Sequence, residues 1–558
     1  MESLLKNLDN HNLDALIITS SDPHLSEYPA DHFKRRAFIS GFTGSAGTII
    51  VSRKFKALFT DSRYDLMSKK QLDNSWEIFI NKNSEIADFL IKKSENKDFS
   101  VGIDFETISC KEISDLRKKT EKSAVKIVET PENLVDLSWE NRREIYKEIY
   151  DYSENSSRSS AEKIGFLADF LAKEKADSFT IISDLATISW LLNLRGDDVV
   201  YSPVFYAFLY VNSAGKTGLF ANLEKISEKA KKNLEKSGIF MEKYGKIYEF
   251  LAEQENCFIF DENKTNEKFL KFAKNPQKAT FTINLIQSEK DEIERDLIRK
   301  GHKIDAKAVF STIKSLKNRE VSNEYELSEL FLKNRLAFGA KMPSFESICS
   351  VNANAAIVHY SPSKDNYAEI PENCAVLMDT GGQYQGCTTD ITRCVYLGEA
   401  PEEYKFAYTM VLRSHVALAK QIFHKDYPSL ALDGIAKAPM WQAKMDYGHG
   451  TGHGVGSFLN VHEVPPSISS RIVTPANSLP LKLNQLVTIE PGFYPEGKFG
   501  IRLENCYLVC DAGDDYLWLD PVTLVPFEDH LVLKDLMTEE ELAWYEDYQK
   551  KAWECVNN

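Results

Sequence analysis

Two pairs of acidic residues, each split by a glycine-bearing turn between strand-like runs, constrain this chain more than any other feature. Asp379 and Asp390 stand on either side of Gly381-Gly382-Gln383-Tyr384-Gln385-Gly386, with apolar or β-branched runs at 375–378 before the turn and at 387–389 and 395–397 after it. Glu490 and Glu504 repeat the arrangement around Pro495-Glu496-Gly497, between residues 486–489 and 501–503. Glycine-containing turns between such runs signal β-hairpins. If each register sets its acids face to face, the paired Cβ atoms lie about 4.5–5.5 Å apart. Four carboxylates drawn together repel strongly unless cations compensate them. Two such pairs with one imidazole suit two hard divalent cations about 3.5–4 Å apart, the spacing of two-metal hydrolytic sites. The imidazole is His453, in His449-Gly450-Thr451-Gly452-His453-Gly454-Val455-Gly456. Two histidines four residues apart also occur in helical zinc motifs. The glycines here argue against a helix and instead suggest backbone that lies close to a ligand. A lone aspartate at a strand end ordinarily caps a turn; five ligand-type residues in this order do not arise that way.

At 558 residues the chain exceeds what one core supports and should hold about three domains. A hydrophobic content of 43% and a charged content of 27% are those of an ordinary soluble protein. The net charge of −15 argues against nucleic acid or an anionic membrane as partner. The N-terminus, Met1-Glu2-Ser3-Leu4-Leu5-Lys6, lacks the basic-then-apolar run of a signal peptide. No apolar stretch approaches the roughly 20 residues that span a bilayer. The nine cysteines show neither a disulfide framework nor CxxC spacing, which predicts reduced thiols in a cytoplasm. Cys374, Cys387, Cys394 and Cys506 cluster around the acidic hairpins and read as small buried apolar residues.

Residues 13–19, 48–51 and 56–60 read as strands, with the flexible turn Gly41-Phe42-Thr43-Gly44-Ser45-Ala46-Gly47 before the second. A polar, serine-rich boundary at 153–160 precedes a second unit. There, residues 178–184 echo 15–22, and 203–211 followed by 218–220 echo the later strands, as in a distant duplication. The expected domains are 1–154, 155–287 and 288–558. The third opens with a helix over 288–317, with Ile293, Leu297, Ile304, Ala308 and Ile313 on its apolar face. Helices over 322–338 and 402–423 follow, and their alternation with antiparallel hairpins predicts α+β. A short surface helix after an N-cap at Thr538 closes the chain.

These segments resemble the aminopeptidase P (Xaa-Pro aminopeptidase) family, and the likeness is to its longer, three-domain cytosolic type. Arg35-Arg36-Ala37-Phe38-Ile39-Ser40-Gly41-Phe42-Thr43-Gly44-Ser45-Ala46-Gly47 and Thr60-Asp61-Ser62-Arg63-Tyr64 resemble the first domain. Trp190-Leu191-Leu192-Asn193-Leu194-Arg195-Gly196 resembles the second. Asn354-Ala355-Ala356-Ile357-Val358-His359-Tyr360, the His449–Gly456 stretch, Thr488-Ile489-Glu490-Pro491-Gly492 and Gly500-Ile501-Arg502-Leu503-Glu504-Asn505 resemble the third.

The resemblance implies two creatinase-type α/β domains followed by a pita-bread catalytic domain. It makes Asp379, Asp390, His453, Glu490 and Glu504 the ligands of two metal ions, usually Mn²⁺. Asp390 and Glu504 would bridge both ions, with Asp379 on one and His453 and Glu490 on the other. His359, His449 and His462 match histidines that hold substrate, steady the oxyanion and shuttle protons; His462 is the expected shuttle to the leaving prolyl nitrogen. Arg502 reads as a charge partner behind the ligands, with a plain surface arginine as its rival reading, and Arg63 as a substrate contact. The implied activity is release of the N-terminal residue from peptides with proline second, by a cytoplasmic homodimer. Prolidase, restricted to Xaa-Pro dipeptides, is the alternative, and a non-catalytic binding protein on the same fold is a more distant one.

Overall fold

The computed structural model describes residues 1–470 and 476–558. The chain forms two compact units, one of residues 1–153 with 158–283, the other of 154–157 with 284–558.

The first unit contains two six-stranded sheets of the same plan. In one, the spatial order is Trp76–Ile80, Lys56–Thr60, Thr48–Ser52, Ala15–Ile18, Phe99–Ile103, Val125–Glu129. In the other it is Phe240–Lys243, Thr217–Ala221, Ala207–Asn212, Ser178–Ile182, Cys257–Phe260, Asn275–Lys278. In both sheets the third strand runs antiparallel to the second and the fourth, and the other three joins are parallel. Ser178–Ile182 thus occupies the place of Ala15–Ile18, as the sequence echo predicts. Every residue of Ala15–Ile18 is buried. Ala15 and Ile17 pack with Leu90 and Ile113 on one face, while Leu16 and Ile18 pack with Leu4 and Leu8 on the other. Alternation along the strand sends neighbours to opposite faces, so a sheet covered by helices on both sides needs the continuous apolar run seen here.

The motif around Trp190 has a structural explanation. The buried Lys163 ammonium lies 4.6 Å from the Trp190 ring centre and donates to Asn193 Oδ1 at 2.6 Å and the Trp190 carbonyl at 3.1 Å. Asn193 has φ of 50°, a conformation asparagine tolerates.

In the second unit, the helix Glu292–Lys317 starts with a capping box in which Asp291 and Glu294 satisfy each other's backbone N–H groups. Its buried face differs from the predicted one. Ala308 and Ile313 are buried, but Ile293 and Ile304 are exposed, and Gly301, His302 and Asp305 lie inside with Ile298, Val309 and Leu316. The cause is what the helix packs on. A side chain at Gly301 would collide with Cys387, and Asp305 receives Arg335 Nε at 2.7 Å and the Tyr384 hydroxyl at 2.9 Å.

The helix Glu324–Ala337 matches its expected span, whereas the helix predicted over 402–423 ends at Ala419 because Ile422–His424 pairs as an edge strand with Tyr516–Pro521. The helix Leu430–Gln442, which contains Gly434 and Pro439, has no counterpart in the sequence reading. The last helix, Glu539–Asn557, has the expected Thr538 cap but is neither short nor superficial, since Tyr545, Tyr548 and Ala552 are buried. A three-stranded sheet of Ile348–Val351, Cys374–Thr380 and Ile391–Leu397 and a six-stranded sheet that includes Gly452–Gly454, Leu486–Ile489 and Asn505–Gly513 carry the acidic residues and His453 or flank them. Among the described residues, no helix is long and apolar enough to cross a membrane.

Candidate metal centre

Register decides where the acids point. Cys374–Thr380 pairs with Ile391–Leu397 so that Asp379 faces Thr392. Asp390 lies two residues before Thr392, hence on the same face and diagonal to Asp379 instead of opposite it. The turn between them is a small sheet of its own, Gly382–Tyr384 against Cys387–Thr388, closed by Gly386 at φ 70°. In the second hairpin Ile489 pairs with Asn505 and Gly492 with Arg502, in two different sheets. One common register places Glu490 and Glu504 directly opposite each other between those ladders. The face-to-face arrangement read from sequence therefore describes the glutamates and not the aspartates.

His453 sits on Gly452–Gly454, at a bulge in the pairing with Glu463–Ile468. A Cβ at Gly452 would run into the Thr488 carbonyl, and one at Gly454 into the Glu463 carbonyl. These two glycines permit close approach of neighbouring strands, not of a ligand. The Nδ1 of His453 is 2.8 Å from the Gly454 carbonyl, which can only accept, so Nδ1 carries the proton. Its Nε2 is left with a lone pair, 3.5 Å from Asp390 Oδ2 and 3.5 Å from Glu490 Oε1. Ligand atoms of Asp390, His453 and Glu504 all lie within 4.8 Å of one another.

Arg502 organises the remaining side. It is 2% exposed, which excludes the surface-arginine reading. Its Nη2 donates to Asp379 Oδ2 at 2.5 Å, Nη1 to the Tyr494 hydroxyl at 2.8 Å, and Nε to Thr392 Oγ1 at 3.2 Å. Thr392 in turn donates to Glu504 Oε2 at 2.8 Å. His449 Nδ1 is 2.8 Å from the Gly450 carbonyl, so its Nε2, 2.8 Å from the Tyr494 hydroxyl, accepts from that phenol. Burial holds the Tyr494 phenol protonated against the pull of Arg502. The result is a directed chain from Arg502 through Tyr494 to His449.

The donor set fits divalent cations on three counts. All donors are hard oxygens plus one imidazole. Asp379 Oδ1 is buried without a hydrogen-bond partner among the described residues, an acceptor left for a cation. Burial, compounded by Asp379 and Glu490, pushes the Asp390 carboxyl far above the usual range despite His462 and Arg502. Burial, then Asp390, Glu490 and Asp379, does the same to Glu504. Positive charge in the site would reverse both shifts.

The ring centre of His462 lies 4.5 Å from that of His453, edge to face. His359 lies on a loop whose preceding residue, Val358, accepts from Arg502 at 3.5 Å. Arg63 belongs to the other unit, where it forks onto Asp61 at 2.9 Å through both Nε and Nη2. The four cysteines are buried as expected; burial pushes Cys394 up to about 12 and Cys387 and Cys506 well above their ordinary value, so they remain thiols. Sequence reasoning missed Tyr494 and Thr392, and also Glu463, which is buried beside His462 and paired with buried Lys290. Tyr494 follows Glu490 by four residues and immediately precedes the turn Pro495-Glu496-Gly497, the one local signal available.

The chain matches Metallopeptidase family M24 over residues 296–511 and the C-terminal region of peptidase_M24 over 515–558. It matches the Creatinase/Prolidase N-terminal domain over 1–137 and again over 145–320. Fold and site together define an M24 metallopeptidase: two creatinase-type domains ahead of a pita-bread catalytic domain. A probable Xaa-Pro aminopeptidase P of Coprinopsis cinerea is 33% identical over 595 aligned residues, covering 100% of this chain and 94% of that protein. Xaa-Pro aminopeptidase 1 of Dictyostelium discoideum is 34% identical, covering 100% and 92%. The X-prolyl aminopeptidase of Caenorhabditis elegans, described as a cytosolic enzyme with a di-nuclear active site, superposes with a TM-score of 0.92 at 29% identity, over 98% of this chain and 92% of that one. The chain belongs to the Xaa-Pro aminopeptidase P family of M24 metallopeptidases.

Proposed function

We propose that the chain is a metal-dependent Xaa-Pro aminopeptidase that releases the N-terminal residue from peptides with proline in second position. The cluster of Asp390, His453 and Glu504, with ligand atoms within 4.8 Å of one another, carries this reading. Asp379, Asp390, His453, Glu490 and Glu504 would hold two divalent cations, with Mn²⁺ as the proposed occupant. Bound there, such a pair supplies the positive charge that acidifies water and polarises a carbonyl.

The chain's own groups do the rest. His359 is the proposed donor to the scissile carbonyl and the developing oxyanion, while His449, its ring nitrogens engaged by Gly450 and Tyr494, is proposed to line the substrate site. His462, whose ring meets the edge of His453, carries the proton to the prolyl nitrogen. Arg502 pairs with Asp379 and, through Tyr494, fixes the tautomer of His449. The substrate logic is coherent, because the amide before proline has no N–H for a strand-binding peptidase to grip. Arg63 is proposed as a substrate contact on the family resemblance. The domain limits 1–154, 155–287 and 288–558, a homodimeric assembly and a cytoplasmic location complete the proposal; the nematode enzyme's description as cytosolic supports the last. Peptides with Xaa-Pro N-termini are the proposed partners, and the net charge of −15 argues against nucleic acid or an anionic membrane.

The test is hydrolysis of Arg-Pro-Pro, Ala-Pro and Arg-Ala-Ala by metal-stripped protein with and without Mn²⁺. Manganese-dependent release of arginine from Arg-Pro-Pro, with Arg-Ala-Ala untouched, is the expected result. Cleavage confined to Ala-Pro would make the protein a prolidase, and no turnover with any divalent metal would leave a binding protein.

A further inference from the structure

We infer that Glu324 is a positioning residue for His359, an inference that rests on the reading of His359 as a substrate-contacting group. Glu324 is the first residue of the helix Glu324–Ala337 and is fully buried. Its carboxylate accepts from the Val351 N–H at 2.7 Å, from Asn354 Nδ2 at 3.0 and 3.1 Å, from the Tyr360 hydroxyl at 2.7 Å and from the Ala368 N–H at 2.7 Å. These donors sit at the entry, the middle and the exit of one segment, residues 351–368, which carries His359. Among the described residues no lysine or arginine pairs with Glu324. The anion is instead balanced by neutral donors and by the positive end of its helix, and hydrogen bonds to an ionised acceptor are the stronger kind.

His359 is thereby bracketed. Val358 before it accepts from Arg502 at 3.5 Å, and Tyr360 after it is tied to Glu324. Val351, at the root of the segment, ends the strand whose Ile348 faces Asp379. One buried carboxylate thus couples the histidine's loop to the strand layer that carries the aspartates. A glutamine at 324 would keep the shape but offer one acceptor oxygen and point an NH₂ at donors. Buried donors left unsatisfied would then draw the segment out of place.

The experiment is a double-mutant cycle on the full-length, Mn²⁺-loaded protein, reading kcat, KM and bound metal with Arg-Pro-Pro. Glu324→Gln is expected to lower kcat about 10- to 100-fold, the scale of a misplacement of about 1 Å, with metal content unchanged. In a His359→Ala background the same substitution should cost less than about twofold, because non-additivity marks action through a shared group. Tyr360→Phe, which removes a single donor, should show the same pattern more weakly and serves if Glu324→Gln does not fold. Equal losses in both backgrounds would reduce Glu324 to a structural residue and overturn the inference. A wild-type kcat in His359→Ala alone would instead sink the role of the histidine, and with it the purpose of the clamp.

Discussion

At the scale of single residues, Arg502 shows how one cation serves a carboxylate site. Its guanidinium touches Asp379, Tyr494 and Thr392 at once, a planar fork that lysine cannot reproduce. Replacing it with methionine leaves Asp379 buried without a counter-charge, a change that costs about 3–5 kcal/mol in comparable buried pairs. We therefore expect Arg502→Met to lower the denaturant midpoint strongly in metal-free protein and distinctly less with Mn²⁺ bound. Equal losses in both forms would mean that the arginine does not share the load with the cations. The four acids, Asp379, Asp390, Glu490 and Glu504, stand out as candidates in the sequence because each lies in a short motif with a partner across one turn. Tyr494 and Glu324 do not, because their roles rest on contacts with residues that the chain brings together from elsewhere, such as Tyr494 with His449 and Glu324 with Ala368. Nothing local in a glutamate at a helix start separates an ordinary first-turn acid from a buried clamp.

At the scale of elements, the same long-range packing explains what the periodicity misread. The apolar face drawn for the helix Glu292–Lys317 included Ile293 and Ile304, both exposed, and omitted Gly301 and Asp305, both inside. An apolar count cannot detect a face that is buried because a glycine admits Cys387 and an aspartate meets Arg335. Alanine is the better helix former by about 1 kcal/mol, yet Gly301→Ala should destabilise by about 1–3 kcal/mol through overpacking. A urea melt decides between the two effects, and a stabilised variant would show that the hairpin yields. The helix Leu430–Gln442 escaped notice because Gly434 and Pro439 read as breakers. In the structure it supplies a buried pair, Asp433 with Lys437 at 2.9 Å, and Asp433 also receives the hydroxyl of Thr451. The Thr451 carbonyl accepts the backbone N–H of Glu490 at 2.8 Å, so this unread helix supports a residue of the acidic site.

At the scale of the molecule, the duplication was legible because central strands buried on both faces must be apolar throughout, a pattern that survives divergence of everything around it. The order of the outer strands was not, since Trp76–Ile80 and Phe240–Lys243 carry mixed patterns. Burial also gives the whole chain a pH dependence. It holds His302 down at about 4 and His415 at about 3, the latter neutral between the Leu503 carbonyl and the Tyr507 hydroxyl. Unfolded, both would titrate near the ordinary value of about 6.5. The unfolded chain then binds protons that the native state refuses, so this stability is fully present above about pH 6.5 and is lost as the pH falls toward the folded values. Denaturant midpoints should fall between about pH 7 and 5, and His302→Leu should show a shallower slope than the parent; an unchanged slope would count against the histidine. The shared register of Glu490 and Glu504 sets the last constraint, one on the length of the chain. Side chains alternate with period two, so a single residue inserted between Ile489 and Gly492 would turn a carboxylate outward. Residues added at the tip around Gly497, beyond the last paired position Phe493–Ile501, leave the parity of both strands untouched. Relatives and engineered variants can therefore differ freely in the size of that tip, while the distance from ligand to ladder has to be inherited unchanged.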